Sequence, residues 1–113
     1  MNTYFSHRQA PFFTQMKNGK KTIEGRLNKT WRQKVEVGDH IIIKNDNETE
    51  EFETVVIGVR RYKTFQDLLE KEALGLVLPG TKSVEEGIRI YRQFYSREKE
   101  KELGVVAIEV KVL

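Results

Sequence analysis

The sequence predicts an α+β fold, a small and partly open β-barrel flanked by helices. Apolar residues alternate with polar ones in several short segments, which is typical of strands with one buried face. Helical spacing with capping residues interrupts this alternation before the first main strand and again before the last. Since short antiparallel strands cannot leave many edges unpaired, closure into a barrel is the expected arrangement.

The first half of the chain is predicted to hold one helix followed by three strands. A proline and an Asn-Gly pair bound an apolar stripe, which indicates a short helix over residues 9–18. Alternation over 21–27 predicts the first main strand. Residues 40–44 and 52–62 are rich in β-branched side chains, and the Asn-Asp-Asn run over 45–47 suits a turn. These two strands should therefore pair antiparallel.

The second half is predicted to hold two helices and a closing strand. Thr64 is a suitable N-cap for the first helix. Ser83 and Glu86 have the spacing of a capping box and begin a helix whose apolar stripe runs from Ile88 to Tyr95. Alternation over Gly104–Leu113 predicts the last strand, with Val106, Ile108, Val110 and Val112 on one face.

Size and composition fit one domain over residues 1–113. With no cysteine and two histidines, the chain lacks the residues of disulfides, thiolate sites and three-histidine metal sites. We therefore expect no metal and no cofactor. The first residues lack the pattern of a secretory signal, and no apolar run reaches the roughly 20 residues of a membrane span. These features predict a cytoplasmic protein without membrane contact.

The most informative stretch is a basic segment, residues 17–34, which contains one acidic residue, Glu24. The whole chain carries a net charge of only +3. A carboxylate among so many cations should stay ionised and be held by its neighbours. Such a concentration of cations indicates a site for a phosphate-bearing or otherwise anionic ligand. The cations are Lys17, Lys20, Lys21, Arg26, Lys29, Arg32 and Lys34.

Within this segment, Gly19-x-Lys21-x-x-Glu24-x-Arg26 resembles the G-x-K-x-x-E-x-R signature of ASCH domains, a family of the PUA-like superfamily. The order of predicted elements agrees with that family, and the likeness covers nearly the whole chain. The resemblance implies a PUA-like β-barrel with a cleft lined by the signature, and a role around RNA or modified nucleosides. Family members described as enzymes include a bacterial acetylcytidine amidohydrolase and ASCH ribonucleases.

The three charged residues of the signature are the first candidates for a ligand site. Lys21 could bind a phosphate, or act as a base if burial lowers its pKa; the alternative is an exposed lysine. Arg26 offers a planar fork to a phosphate or a base edge. Glu24 could accept a hydrogen bond from an exocyclic amine or act as a general base; the alternative is a surface ion pair. Strict alternation places Lys21 on the opposite face, so all three meet only if Lys21 lies in a loop or a bulge.

Three further residues are candidates outside the signature. Trp31, between Lys29 and Arg32, could stack on a base or fold back over the barrel. Tyr95 lies on the apolar stripe of its helix, where core packing is the alternative to base stacking. Ser96 could contact a phosphate or take part in nucleolytic chemistry, and an ordinary capping serine is the alternative.

The leading hypothesis is therefore an ASCH domain that binds RNA, a nucleotide or a modified nucleoside in a basic cleft around Lys21, Glu24 and Arg26. The second is a metal-independent hydrolase, a ribonuclease or modified-nucleoside amidohydrolase, using Lys21 with Glu24 or Ser96. In the resembling amidohydrolase a threonine nucleophile stands where this chain has Glu24, which argues against that reaction. A third hypothesis is a protein-interaction domain whose basic face meets an acidic partner.

Overall fold

The structure, a computed structural model, describes residues 1–113 and has the α+β class that the sequence predicts. Its strands are β1 (Thr3–Arg8), β2 (Ile23–Leu27), β3 (His40–Asn45), β4 (Glu51–Tyr62) and β5 (Val105–Val112). Its helices are α1 (Phe12–Lys17), α2 (Phe65–Lys71), α3 (Leu74–Val77), α4 (Val84–Arg92) and α5 (Arg97–Leu103). A 3-10 turn covers Thr30–Gln33. None of the helices has the length and apolar character that a membrane span requires.

The five strands form one curled sheet in the order β1-β3-β4-β5-β2. Only the β1–β3 pair is parallel, and the remaining pairs are antiparallel. The predicted hairpin of β3 and β4 is confirmed, with His40 opposite Val55 and Lys44 opposite Glu51. A bulge between Val56 and Gly58 interrupts the pairing of β4 with β5. Bulges bend and twist a strand, which helps this sheet curl into a half-barrel.

The two outermost strands, β1 and β2, face each other through side chains rather than backbone pairing. Nη2 of Arg26 in β2 donates to the carbonyl oxygen of His7 in β1 at 3.0 Å. Arg8 of β1 forms an ion pair with Glu24 of β2. We call this junction of β1 and β2 the seam. It is the place where the half-barrel is completed by charged groups instead of a hydrogen-bonded ladder.

Strand β5 is buried on both faces and separates two hydrophobic clusters. Val106, Ile108 and Val110 point to the cluster shared with α1, β3 and β4, as their predicted common face requires. Val105 and Ala107 point the other way, to the cluster built with α2, α3 and α4. Helices α2, α3 and α4 therefore cover one side of the sheet near β2 and β5, and α1 packs against the other side near β3.

The predicted helix starts are confirmed by their caps. The Thr64 hydroxyl accepts a hydrogen bond from the backbone N–H of Asp67 at 3.0 Å. The Ser83 hydroxyl accepts one from the backbone N–H of Glu86 at 3.1 Å. Several boundaries differ from prediction: the first helix is Phe12–Lys17, the first main strand starts at Ile23, and α4 ends at Arg92.

Four elements were not predicted: β1, the 3-10 turn, α3 and α5. In β1 the buried side chains are Ser6 and Arg8, whereas Phe5 is 58% exposed. This inverts the usual apolar-in, polar-out pattern. In α5, with the sequence REKEKEL, Glu100 is the buried residue, so no apolar stripe marks a helix.

Candidate functional site

A cavity of about 180 Å³ opens at the seam, between β1, β2 and the helices α1 and α4. Its lining combines charged and aromatic side chains. The charged residues are Arg8, Lys21, Glu24, Arg26 and Asp46. The aromatic residues are Phe12, Tyr91, Phe94 and Tyr95.

Lys21 lies in the loop before β2 and is only 2% exposed. Its Nζ donates to the carbonyl oxygen of Ile23 at 2.9 Å and to that of Val77. Because the residue precedes the strand, strand alternation does not apply to it, and its side chain reaches the same cavity as Glu24. Burial lowers the pKa of Lys21 to about 8, although the charge of Glu24 opposes this shift.

Glu24 is the buried carboxylate of the cavity, 7% exposed. It pairs with the guanidinium groups of Arg8 and Arg26, whose Nε atom lies 3.2 Å from Oε1. Burial alone would raise the pKa of Glu24. The positive charges of Arg8, then Lys21 and Arg26, outweigh burial and hold that pKa at about 2. The group is therefore ionised at neutral pH and acts only as a hydrogen-bond acceptor.

Three arginines surround this carboxylate. Burial lowers the pKa of Arg8 and that of Arg32 to about 10, so both remain protonated at neutral pH. Burial also works to lower the pKa of Arg26, but the charge of Glu24 reverses the effect and raises it. Arg32 stands behind the cavity, where its Nη2 donates to the Ser6 hydroxyl at 2.9 Å. Arg8 and Arg26 thus hold the carboxylate in position, and Arg32 holds β1 through its hydrogen bond to Ser6.

The cavity carries little net charge although its residues are highly charged. Arg8, Lys21 and Arg26 contribute three positive charges and Glu24 and Asp46 two negative ones, which leaves +1. Asp46 comes from the turn between β3 and β4. Hydrogen-bond donors and a fixed acceptor therefore stand side by side in one small space.

An aromatic wall completes the cavity. Tyr91 stacks on Phe65 with ring centroids 4.2 Å apart, and burial raises the pKa of its hydroxyl, which has no hydrogen-bond partner. Gly25 allows this close approach, since a Cβ there would lie 3.0 Å from Tyr91 Cζ and closer still to Oη. Tyr95 is partly buried beside it, and Phe94 is 45% exposed at the rim.

Two predicted site residues lie outside the cavity lining. Trp31 stacks on Tyr4 with centroids 4.5 Å apart, and the guanidinium of Arg32 lies 4.3 Å from its ring centroid. It folds back against the barrel, the alternative that the sequence left open. Ser96 caps α5, since its hydroxyl accepts a hydrogen bond from the backbone N–H of Lys99 at 3.1 Å.

The structure thus brings together Lys21, Glu24, Arg26 and Tyr95 at one cavity. Sequence reasoning missed Arg8, Phe12 and Asp46, which line it too. Arg8 and Phe12 lie before the basic segment and Asp46 lies after it, so no short-range pattern connects them with the signature. No three histidine, aspartate or glutamate side chains come together in a group that could hold a metal ion.

Comparison with known proteins agrees with this architecture. The sequence profile of the ASCH domain matches residues 7–113. The chain belongs to the ASCH domain family. This confirms the resemblance that the signature around Glu24 suggested. No curated protein matches the chain.

Three solved structures resemble this ASCH domain over most of its length. The crystal structure of hypothetical protein PH0355 is 42% identical, with a TM-score of 0.89, and the match covers 98% of this chain and 99% of that one. The solution NMR structure of protein PF0455 from Pyrococcus furiosus is 43% identical, with a TM-score of 0.77 and coverages of 98% and 97%. The ASCH domain from Lactobacillus crispatus JV V101 is 19% identical, with a TM-score of 0.61 and coverages of 96% and 79%, and shares the fold.

Proposed function

We propose that this ASCH domain binds RNA, a nucleotide or a modified nucleoside by taking one base into the cavity at the seam. The observation that carries the proposal is the ionised carboxylate of Glu24, buried between Arg8 and Arg26 under an aromatic wall. A buried charge of this kind is costly to maintain unless its partners hold it firmly. Ionisable groups with strongly shifted pKa values that lie in a cleft are enriched at functional sites, and Glu24 is such a group.

The residue types match the edge of a base. Glu24 would accept a hydrogen bond from an exocyclic amino group, the pairing by which carboxylates recognise cytosine. The partly exposed guanidinium of Arg26 would donate to a neighbouring ring nitrogen or carbonyl oxygen. Tyr95 and Phe94 supply faces on which the ring can stack. A base that presents a donor beside an acceptor satisfies all of these groups.

The charge and the size of the cavity favour a base over a phosphate group as its occupant. A polyphosphate would meet the carboxylates of Glu24 and Asp46 as well as the cations, and like charges oppose each other at close range. The volume of about 180 Å³ is below the roughly 300–1,000 Å³ typical of pockets for drug-sized ligands. The space therefore suits a single base or nucleoside.

The exposed lysines of the basic segment would serve the RNA backbone instead. Lys20, Lys29 and Lys34 are exposed and form no ion pair within 4 Å of an acidic side chain. Contacts between such lysines and phosphates are independent of sequence and weaken as salt rises. In this proposal the cavity identifies the base, and the lysines strengthen binding of a longer strand.

Titration calorimetry tests this proposal with ribonucleosides, nucleoside monophosphates, modified nucleosides including acetylcytidine, and short single-stranded RNAs. We expect Glu24→Gln to weaken binding of the preferred ligand at least about fivefold, since specific base contacts contribute about 1–3 kcal/mol. Lys29→Gln is the matched control, which should weaken RNA binding slightly and leave nucleoside binding unchanged. Absence of binding by every ligand, or equal binding by the Glu24→Gln variant, would refute the proposal.

A metal-independent hydrolase is the second candidate, and the lowered pKa of Lys21 favours it. An amine with a pKa of about 8 is close to the range in which lysine acts as a general base. Ser96 lies outside the cavity lining, so Lys21 and Glu24 would have to carry such a reaction. Turnover of a bound ligand that disappears in Lys21→Ala, measured by chromatography of the products, would support it over binding alone.

A further inference from the structure

A groove of about 370 Å³ continues directly from the cavity. It runs between the loop at residues 9–11, the turn at 79–81 and helix α4. Cavity and groove share a boundary of residues that line both, so the two form one continuous surface. These boundary residues are Gln9, Phe12, Leu78, Ile90 and Phe94.

The groove differs from the cavity in its chemistry. Glu86 is its only charged residue, and no lysine or arginine lines it. Its polar groups are instead amides and a hydroxyl, from Gln15, Gln93 and Thr81. A surface of amides and aromatic rings suits a flat, uncharged ring with hydrogen-bonding edges. It does not suit a phosphate, which needs cationic partners.

One buried polar group in the groove lacks a partner within the protein. The side-chain oxygen of Gln15 is buried and accepts no hydrogen bond. Leaving a buried acceptor unsatisfied costs free energy, and a ligand N–H in the groove would remove that cost. At the boundary, Phe94 leaves 45% of its surface in contact with solvent. An exposed aromatic ring between two binding spaces is a stacking surface for a base.

We infer that the groove holds a second base, that of the nucleotide adjacent to the one in the cavity. This inference rests on the proposed function and makes it more specific. The ligand is then a single-stranded RNA segment of at least two nucleotides, and a free nucleoside fills only half of the site. Gln9 is exposed on the boundary, where its amide can donate to the sugar or phosphate that links the two nucleotides.

The first test compares ligands on the intact protein by calorimetry. The probes are the four ribonucleosides, the sixteen ribodinucleotides, and versions of the tightest dinucleotide that lack one base. We expect the tightest dinucleotide to bind about tenfold or more above its better nucleoside, a gain typical of one stacked base. Removing the base that occupies the groove should abolish this gain, although the phosphate remains.

The second test changes residues that line only the groove. Gln15→Ala and Gln93→Ala should each weaken dinucleotide binding several-fold and leave nucleoside binding unchanged. Gln66→Ala is the matched control, because Gln66 is exposed on α2 away from both spaces. A cooperative thermal unfolding transition is the check that each variant is folded. We expect Gln15→Ala to pass it, because alanine has a high helix propensity and Gln15 lies in a helix.

The outcomes separate this inference from the proposed function. Equal affinity for dinucleotides and nucleosides would overturn the groove as a base subsite and leave the cavity proposal standing. Equal affinity of the intact and base-lacking dinucleotides would do the same, since the gain would then come from the phosphate. Absence of binding by all probes would overturn both. Weakening of every ligand by Glu24→Gln, with a dinucleotide-specific loss in Gln15→Ala and Gln93→Ala, would support both.

Discussion

Two clusters of arginine and glutamate lie against the same sheet. They differ in how many of their charged groups are paired within the protein and in whether a cavity opens beside them. In the first, Arg60 of β4 donates through Nε and Nη2 to the two carboxylate oxygens of Glu72, at 2.8 and 2.6 Å. Its Nη1 donates to Glu109 at 2.9 Å. All three guanidinium nitrogens of Arg60 thus have carboxylate partners, although its side chain is 38% exposed.

In the cluster at the seam, the single carboxylate of Glu24 forms ion pairs with both Arg8 and Arg26, and the ammonium group of Lys21 lies close by. Here the groups are buried, and the cavity opens directly onto them.

Neither cluster is apparent as a whole in the sequence, because some of its members lie far apart in the chain: Glu109, for example, is 49 residues from Arg60. Burial of a carboxylate does not separate the clusters, since the Glu72 side chain is only 6% exposed. The comparison teaches that a candidate site is marked by buried charge beside an open space, whereas the fully paired charges around Arg60 are structural.

The largest difference should come from removing one carboxylate from each cluster. Glu24→Ala leaves buried cations without their partner, and breaking a buried ion pair costs about 3–5 kcal/mol of unfolding free energy. Glu109→Ala removes a partly exposed partner of Arg60 and should cost at most about 1 kcal/mol. Urea unfolding of both variants measures this difference. Similar losses in the two variants would contradict the distinction between the clusters.

Acid unfolding should come next in size. Glu24 has its pKa lowered from an ordinary 4.5 to about 2 in the folded protein. A lowered acid pKa stabilises the fold fully above about pH 4.5, and this contribution disappears as the pH falls towards 2. The loss should approach about 3 kcal/mol, because each pKa unit corresponds to about 1.4 kcal/mol.

Unfolding by urea at several pH values between 2 and 6 measures this contribution. The Glu24→Gln variant should lack it, because the substituted amide does not titrate. The Glu109→Gln variant should retain it, as its carboxylate belongs to the other cluster. A pH dependence that is unchanged in Glu24→Gln would assign acid sensitivity to other carboxylates.

A smaller effect should follow from filling the space between Gly25 and Tyr91. Gly25→Ala places a methyl group against the ring and hydroxyl of Tyr91, and overpacking of this kind typically costs about 1–3 kcal/mol. Tyr91→Phe removes a buried hydroxyl that has no partner, so alone it should be neutral or stabilising. The double variant should lose less than Gly25→Ala alone. A double-mutant cycle of thermal unfolding checks this, and strict additivity would contradict the contact.

The smallest effect should come from Ser96, which belongs to neither cluster. Ser96→Ala removes the cap of α5 and should cost about 1 kcal/mol of stability, as helix caps do. Ser83→Ala at α4 is the matched control and should cost about the same. Neither change should alter ligand affinity or turnover. Loss of turnover in Ser96→Ala but not in Ser83→Ala would instead support the hypothesis that Ser96 takes part in the reaction.

Much of the fold could be predicted from local sequence. The hairpin of β3 and β4, the caps at Thr64 and Ser83, and the buried face of β5 all depend on residues close together in the chain. Strand β1 could not be predicted, because its buried Ser6 and Arg8 owe their position to partners on β2 and the 3-10 turn. The helix around Glu100 was missed for a related reason, since its buried residue is a carboxylate bound to Arg92.

The candidate site likewise combines residues that the sequence indicated with residues that it could not indicate. Lys21, Glu24 and Arg26 converge as their motif suggested, because the loop before β2 frees Lys21 from strand alternation. The partner of Glu24, Arg8, could not be found in the sequence, since only the curl of the whole sheet brings β1 to β2. Trp31 has basic neighbours in the sequence, yet its ring is used in packing on Tyr4.

The seam has a consequence for how such a domain can diversify. Elsewhere in the sheet, strand spacing is fixed by main-chain hydrogen bonds that are the same for nearly every amino acid. At the seam, the reach and charge of a few side chains set the gap between β1 and β2. Mutation there can change the width and the charge of the opening while the hydrogen-bonded scaffold persists.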